Sequence, residues 1–169
     1  MTRRFELAIV AAVVVLDQIT KWLVVARIEL HQTVPVVPGL LNLTHIRNTG
    51  VAFGLLNSAE FAYKPLLVAL VALGALVGVA LYASQLPPDH RWARGGLALI
   101  LGGAAGNLVD RARQGYVVDF VDAYWGSWHF WAFNVADAAI NVGVGLLIID
   151  LFRPGHARPA PVAEEPRVS

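Results

Sequence analysis

A chain of 169 residues has room for a few membrane spans and one modest element outside the bilayer, but not for a second independent domain of ordinary size. Hydrophobic residues make up 57% of it and charged residues only 15%, against about 25% in soluble domains, so the composition reads as that of a membrane protein. The net charge of +1, without any Lys/Arg run, gives no footing for nucleic acid, and the absence of cysteine excludes disulfides, thiolate metal ligands and a cysteine nucleophile.

Arg3 and Arg4 precede an apolar run, as at a signal peptide, but Asp17, Gln18, Lys21 and Trp22 occupy its later part and no small-residue cleavage site follows. The run is therefore expected to remain as a first span over about 7–26. Asp17 and Lys21 stand four apart in it, on one helical face, and can pair. Such a pair either orients the helix in a bundle or supports a site near its outer end.

The stretch 27–64 changes character. Pro35, Pro38, Gly39, Gly50 and Gly54 break up short runs such as TVPVV and LNLTHI, which predicts strands and turns, a small sheet or half-barrel lying on the membrane. Within HIRNTGVAFG, whose apolar part runs through Phe53, Asn48 belongs either to a plain hairpin turn or to an arm that holds an extended peptide backbone over the site. Residues 65–85 carry no formal charge, and at about 1.5 Å per residue they match a hydrocarbon core of about 30 Å. Pro87 and Pro88 close this second span. A third is expected over about 95–111, where Gly102, Gly103 and Gly106 permit close helix approach, and a fourth over about 133–152 with Gly143 and Gly145. The Pro-rich, polar residues 153–169 are expected to be a disordered cytoplasmic tail, which leaves a single membrane domain over 1–152.

Orientation follows from the basic residues. With both termini cytoplasmic, the inside segments 1–5, 86–94 and 153–169 hold seven arginines in 31 residues, and the outside segments 27–64 and 110–132 hold five Lys/Arg in 61. The aromatic residues Tyr116, Tyr124, Trp125, Trp128, Phe130, Trp131 and Phe133 crowd the second outside segment, as in an interfacial belt.

An ionisable side chain near hydrocarbon costs about 2.5–3.5 kcal/mol on insertion scales, so the polar cluster between the third and fourth spans is where function is to be sought. Asn134, Asp137 and Asn141, at i, i+3 and i+7, predict one polar face on the fourth helix, and Asn107 and Arg111 share a face of the third. Asp119 is expected on the loop between them, inside YVVDFV, where desolvation raises a carboxyl pKa. Two carboxylates held close cannot both ionise: one keeps a proton and the other acts as base. That division lets a pair activate water against an amide and protonate the leaving nitrogen. Ser127 lacks a GxSxG elbow and none of the five histidines lies in HExxH, which leaves water as nucleophile and implies neither metal nor cofactor. From the residues alone three readings stay open: a catalytic pair of Asp119 and Asp137, structural polar anchoring between helices, and an ion-coupled transporter in which Asp137 binds a cation. Asp110 reads as the helix-end partner of Arg111, Asp122 as a solvated loop charge and Asp150 as interfacial.

LDQITK at 16–21, RNTGVAFG at 47–54, GNLVDR at 106–111, VVDF at 117–120 and FNVADAAI at 133–140 together resemble the motif blocks of the lipoprotein signal peptidases, signal peptidase II, in that family's order across nearly the whole chain. The resemblance implies an all-α membrane protein with four transmembrane helices and a small periplasmic β-cradle, in the bacterial inner membrane with both termini cytoplasmic. It implies an aspartic endopeptidase that removes the signal peptide from prolipoproteins, cutting before a cysteine that already bears diacylglycerol. Carried over by motif, Asp119 and Asp137 are the catalytic pair, Asn48, Asn107, Arg111 and Asn134 line the substrate site, and Asp17 and Lys21 match the first-helix motif. Asp17, Lys21, Asp110 and Asn141 are expected to support the site. The expected partners are the diacylglyceryl-modified prolipoprotein and membrane lipids, and the protein is expected to be a monomer.

Overall fold

The computed structural model describes residues 1–50 and 63–152. The expected tail at 153–169 and the VAFG end of the second motif lie outside the described residues.

Among the described residues the fold consists of four helices and a small antiparallel sheet. Helix α1 covers Arg3–Arg27 and passes into an extended Ile28. A hairpin follows, β1 at Thr33–Val37 and β2 at Leu41–Asn48, turned through Gly39, whose φ of 84° suits glycine. Helix α2 covers Lys64–Gln85, with Pro65 in its first turn, where a missing N–H leaves no bond unmade, and with its end ahead of the Pro87–Pro88 pair. Helix α3, Arg91–Gln114, closes on a left-handed Gly115 that donates its N–H to the Arg111 carbonyl. The chain then enters β3, Val117–Trp125, turns at Gly126 into the short β4, Trp128–His129, and ends its described part with α4, Val135–Leu151.

The strands run in the order β1-β2-β3-β4, each pair antiparallel. Strand β3 corrects the expectation of a loop around Asp119 and of a sheet confined to 27–64. In its register Asn48 stands opposite Val117 and Ile46 opposite Asp119, after an irregularity between Leu43 and Ile46. The strand also turns Asp122 from the expected solvated loop charge into a half-buried sheet residue, hydrogen-bonded by Asn42 at 2.9 Å and by His129. Val118 and Phe120 of β3 pack against Val24 of α1 and Ile28 just beyond it, which seats the sheet on the end of the first helix.

Helix α3 is the central element and packs against all three other helices. Its contact with α4 is backbone-close: a Cβ on Gly96 would stand 2.6 Å from the Gly143 carbonyl, and one on Gly103 would overlap the Ala136 carbonyl. Small residues at such crossings let helices approach where lipid supplies no hydrophobic drive. The burial pattern is inverted relative to a soluble protein. Asp17, Lys21, Asn107, Asp110, Asp119 and Asn134 are buried, while Leu7, Leu16, Trp22, Leu66, Leu70 and Val71 stand exposed. Among the described residues, two helices, α1 and α2, are long and apolar enough to cross a membrane.

Candidate active site

Local sequence fixes the site's first element. Asn134 sits just before α4 in extended backbone (φ −130°, ψ −175°) and forms a reciprocal cap with the third helical residue. Its Oδ1 accepts the Asp137 N–H at 2.9 Å, and Asp137 Oδ2 accepts the Asn134 N–H at 3.3 Å. Because a backbone N–H can only donate, the atom facing it must be Oδ1, and Nδ2 is thereby aimed the other way. It donates to Asp119 Oδ1 at 2.8 Å. One fully buried amide therefore touches both aspartates.

The remaining oxygens are held in the same manner. Asn48, at the end of β2, accepts the Gly50 N–H on its Oδ1 at 2.9 Å and donates from Nδ2 to Asp119 Oδ2 at 3.0 Å. Asn107 of α3 donates to Asp137 Oδ1 at 2.8 Å. Arg111, one turn on, donates to the Gly50 carbonyl at 2.9 Å and, more weakly, to the Asn107 carbonyl at 3.5 Å. The turn that carries Asn48 is thus clamped to α3, and Lys64 at the base of α2 donates to Thr49 at 3.0 Å from the other side.

Asp119 is 4% exposed. Burial first, and the neighbouring Asp137 carboxylate second, push its carboxyl up to about 7, against the hydrogen bonds from Asn48 and Asn134 and the charge of Lys21. The group can hold or release a proton near neutral pH.

Beneath these residues lies a buried ionic cluster. Lys21 Nζ pairs with Asp17 Oδ2 at 2.8 Å and with Asp110 Oδ2 at 3.0 Å, and donates to Asn107 Oδ1 at 2.9 Å. Asp17 Oδ1 accepts the Ala136 N–H at 2.9 Å, and Asp110 Oδ2 accepts the Val118 N–H at 3.2 Å. The expected pairing of Asp17 with Lys21 is present. Asp110 is bound to α1 and β3, not to Arg111 as a helix-end pair, because its side chain leaves α3 on the face that meets α1.

The structure therefore brings together Asp119, Asp137, Asn48, Asn107, Arg111, Asn134, Asp17, Lys21 and Asp110. It does not bring in Asn141, which is exposed and takes part in none of the site's hydrogen bonds. Asn134 precedes the helix and reaches Asp137 as a cap and not along a helical stripe, and Asn141, a full turn further into α4 than Asp137, is left exposed. The residues of α4 that pack on the glycines of α3 include Ala136, Ile140, Gly143 and Leu146. Sequence reasoning passed over Gln18, which donates to Asp110 Oδ1 at 2.9 Å and to the Gly106 carbonyl at 3.3 Å. Its place inside LDQITK was the available signal. Among the described residues no group of acidic or histidine side chains has the arrangement of a metal site.

Two solved structures share this architecture. Both are described as bacterial membrane enzyme structures obtained by the in meso method. One superposes with a TM-score of 0.81 at 28% identity, covering 95% of this chain and 95% of the other. The second gives 0.79 at 27% identity, covering 90% and 95%. The fold is that of a helical membrane enzyme. The sequence model described as Signal peptidase (SPase) II matches residues 9–153. A lipoprotein signal peptidase of Geobacter sulfurreducens is 46% identical over 90% of this chain and 94% of its own length, and one of Geobacter metallireducens is 48% identical over 86% and 90%. The chain belongs to the signal peptidase II family and is a peptidase.

Proposed function

We propose that this protein removes the signal peptide from diacylglyceryl-modified bacterial prolipoproteins, cutting before the lipidated cysteine by water attack at the Asp119–Asp137 pair. The substrate class follows from the family. The mechanism rests on one observation above the others, the Asn134 amide that accepts from the backbone of one aspartate and donates to the carboxylate of the other.

In this reading Asp119 carries the shared proton at rest and Asp137 is the base. Asp137 takes a proton from water as the water oxygen adds to the scissile carbonyl. Asp119 gives its proton to the amide nitrogen as the C–N bond breaks, and the proton on Asp137 then returns to Asp119. Arg111 uses two donors on Gly50 and Asn107, and its other N–H groups face the substrate backbone and the developing oxyanion together with the half-buried Asn48 amide.

The four helices all span the inner membrane, with both termini cytoplasmic and the sheet on the periplasmic side, and the protein works as a monomer. The exposed Trp125, Trp128 and Trp131 lie at the headgroup level, and the acyl chains of the substrate stay in the bilayer beside the apolar outer surfaces of the helices.

The test is cleavage by purified protein of a prolipoprotein carrying diacylglycerol, compared with Asp119→Asn and Asp137→Asn. Each variant is expected to lose at least about 100-fold in kcat, the lower end of what a positioned acid or base supplies. Normal cutting by both variants overturns the mechanism. A proton flux in liposomes that disappears in Asp137→Asn, without cleavage, favours a transporter instead.

A further inference from the structure

The ammonium of Lys21 reaches further than an ion pair needs to. Its side chain is buried, and its three N–H bonds go to three different acceptors: Asp17 Oδ2 at 2.8 Å, Asp110 Oδ2 at 3.0 Å and Asn107 Oδ1 at 2.9 Å. An ammonium has no lone pair and can only donate. The Asn107 atom that faces it must therefore be the oxygen, and Asn107 Nδ2 is left pointing at Asp137 Oδ1, 2.8 Å away. The second lone pair of Asn107 Oδ1 accepts from Asn134 Nδ2 at 3.2 Å, which opposes a flip from a second side. If Asn107 turned over, its NH₂ would face Lys21 and Asn134 Nδ2 while its oxygen met the Asp137 carboxylate, three repulsive contacts in place of three hydrogen bonds.

We propose that Lys21 is a positioning residue for the reaction: its ammonium fixes the sense of the Asn107 amide, so that an N–H and not a lone pair faces Asp137. This rests on the reading of Asp137 as the base. A helix-orienting pair would be complete with Asp17 and Asp110 alone. The third bond runs instead to the one side chain of α3 that donates to Asp137, so a cation on α1 governs a carboxylate on α4 without touching it. The charged groups around Asp137 are Asp17 and Lys21 from α1, Asp110 and Arg111 from α3 and Asp119 from β3.

Three variants of the full chain, assayed with diacylglyceryl-modified prolipoprotein across pH 5–9, test this. Lys21→Met removes the donor. Asp17→Asn/Lys21→Met removes it together with one anion, so that the net charge of the buried cluster is unchanged and folding, read from thermal melting, is protected. Asn107→Asp leaves Lys21 and its anions in place and replaces the N–H that faces Asp137 with a carboxylate oxygen, which adds one negative charge beside it. The expected result is a folded double variant with kcat reduced about 10- to 100-fold at unchanged KM, a part of the roughly 10²–10⁴ that a positioned acid–base group contributes. The acidic arm of its kcat profile is expected to move toward higher pH, because an ionised Asp137 then meets a lone pair. A role confined to holding α1 in place leaves that profile where it was.

A folded double variant with unaltered kcat and pH profile overturns the proposal, as does a change confined to KM. If both Lys21 variants fail to fold, Asn107→Asp decides: normal kcat overturns the proposal, and a loss at unchanged KM supports it. Asp119→Asn and Asp137→Asn, run alongside, separate the two levels. If those two cut normally, the aspartate mechanism falls and this inference with it. If they are inactive while the Lys21 double variant behaves as the parent, only the role of Lys21 is lost.

Discussion

At Asp119 opposing influences meet: burial and the Asp137 carboxylate hold its carboxyl near 7, and two amide donors and the Lys21 ammonium only partly offset them. Unfolded, the same group titrates near 3.8. Between those values the folded state keeps a proton that the unfolded state has released. The carboxyl's contribution to stability is therefore full below about pH 4 and declines as pH rises toward 7, over a range worth up to about 4 kcal/mol. Melting temperatures measured from pH 4 to 8 are expected to fall for the parent and to fall less for Asp119→Asn, and equal slopes would sink this account. With Asp119 as the proton donor, kcat/KM is also expected to decline above about pH 7, and a rate that keeps rising to pH 9 would reverse the two carboxyl roles. That Asp119 and Asp137 would meet at one place was legible in VVDF and FNVAD. The partners of Asp110 and the exposure of Asn141 were not, because they depend on which face of α3 or α4 meets a neighbour, and near-continuous apolar sequence does not mark that face.

Helices α3 and α4 meet through glycine, and the placing of Asp137 hangs on that contact. Ala136, whose carbonyl a Gly103 side chain would overlap, is also the residue whose N–H binds Asp17, and Asp137 follows it directly. Gly103→Ala is expected to part the two helices, to destabilise the protein by about 1–3 kcal/mol and to lower kcat along with the melting temperature. Gly74→Ala in α2, where an added Cβ meets open space, is the matched control and should be neutral or slightly stabilising. An active, undiminished Gly103→Ala would show that the close crossing is dispensable. Helix α2 was the most readable element, an uncharged run bounded by prolines. Strand β3 was the least: VVDFVDAYW is too apolar to show an alternating pattern, and it pairs with β2, about 70 to 80 positions earlier, through backbone bonds that no local pattern records.

At the scale of the whole molecule the count of spans and their direction are open to a direct measurement, because the chain has no cysteine of its own. A single cysteine at Ser127, in the turn between β3 and β4, is expected to react with a membrane-impermeant maleimide in intact cells. One at Asp89, between α2 and α3, is expected to react only after lysis. The opposite labelling would invert the topology. The arrangement has a further consequence. Lys21, Asp17, Asn107, Asp110 and Asn134 join α1, α3, β3 and α4 where surrounding lipid gives little reason for helices to associate, so the candidate site is also the adhesive of the bundle. Efforts to harden this enzyme by refilling its middle with aliphatic groups would silence it. Tolerance to redesign is expected instead on the outer flank of α2, which is almost wholly uncovered.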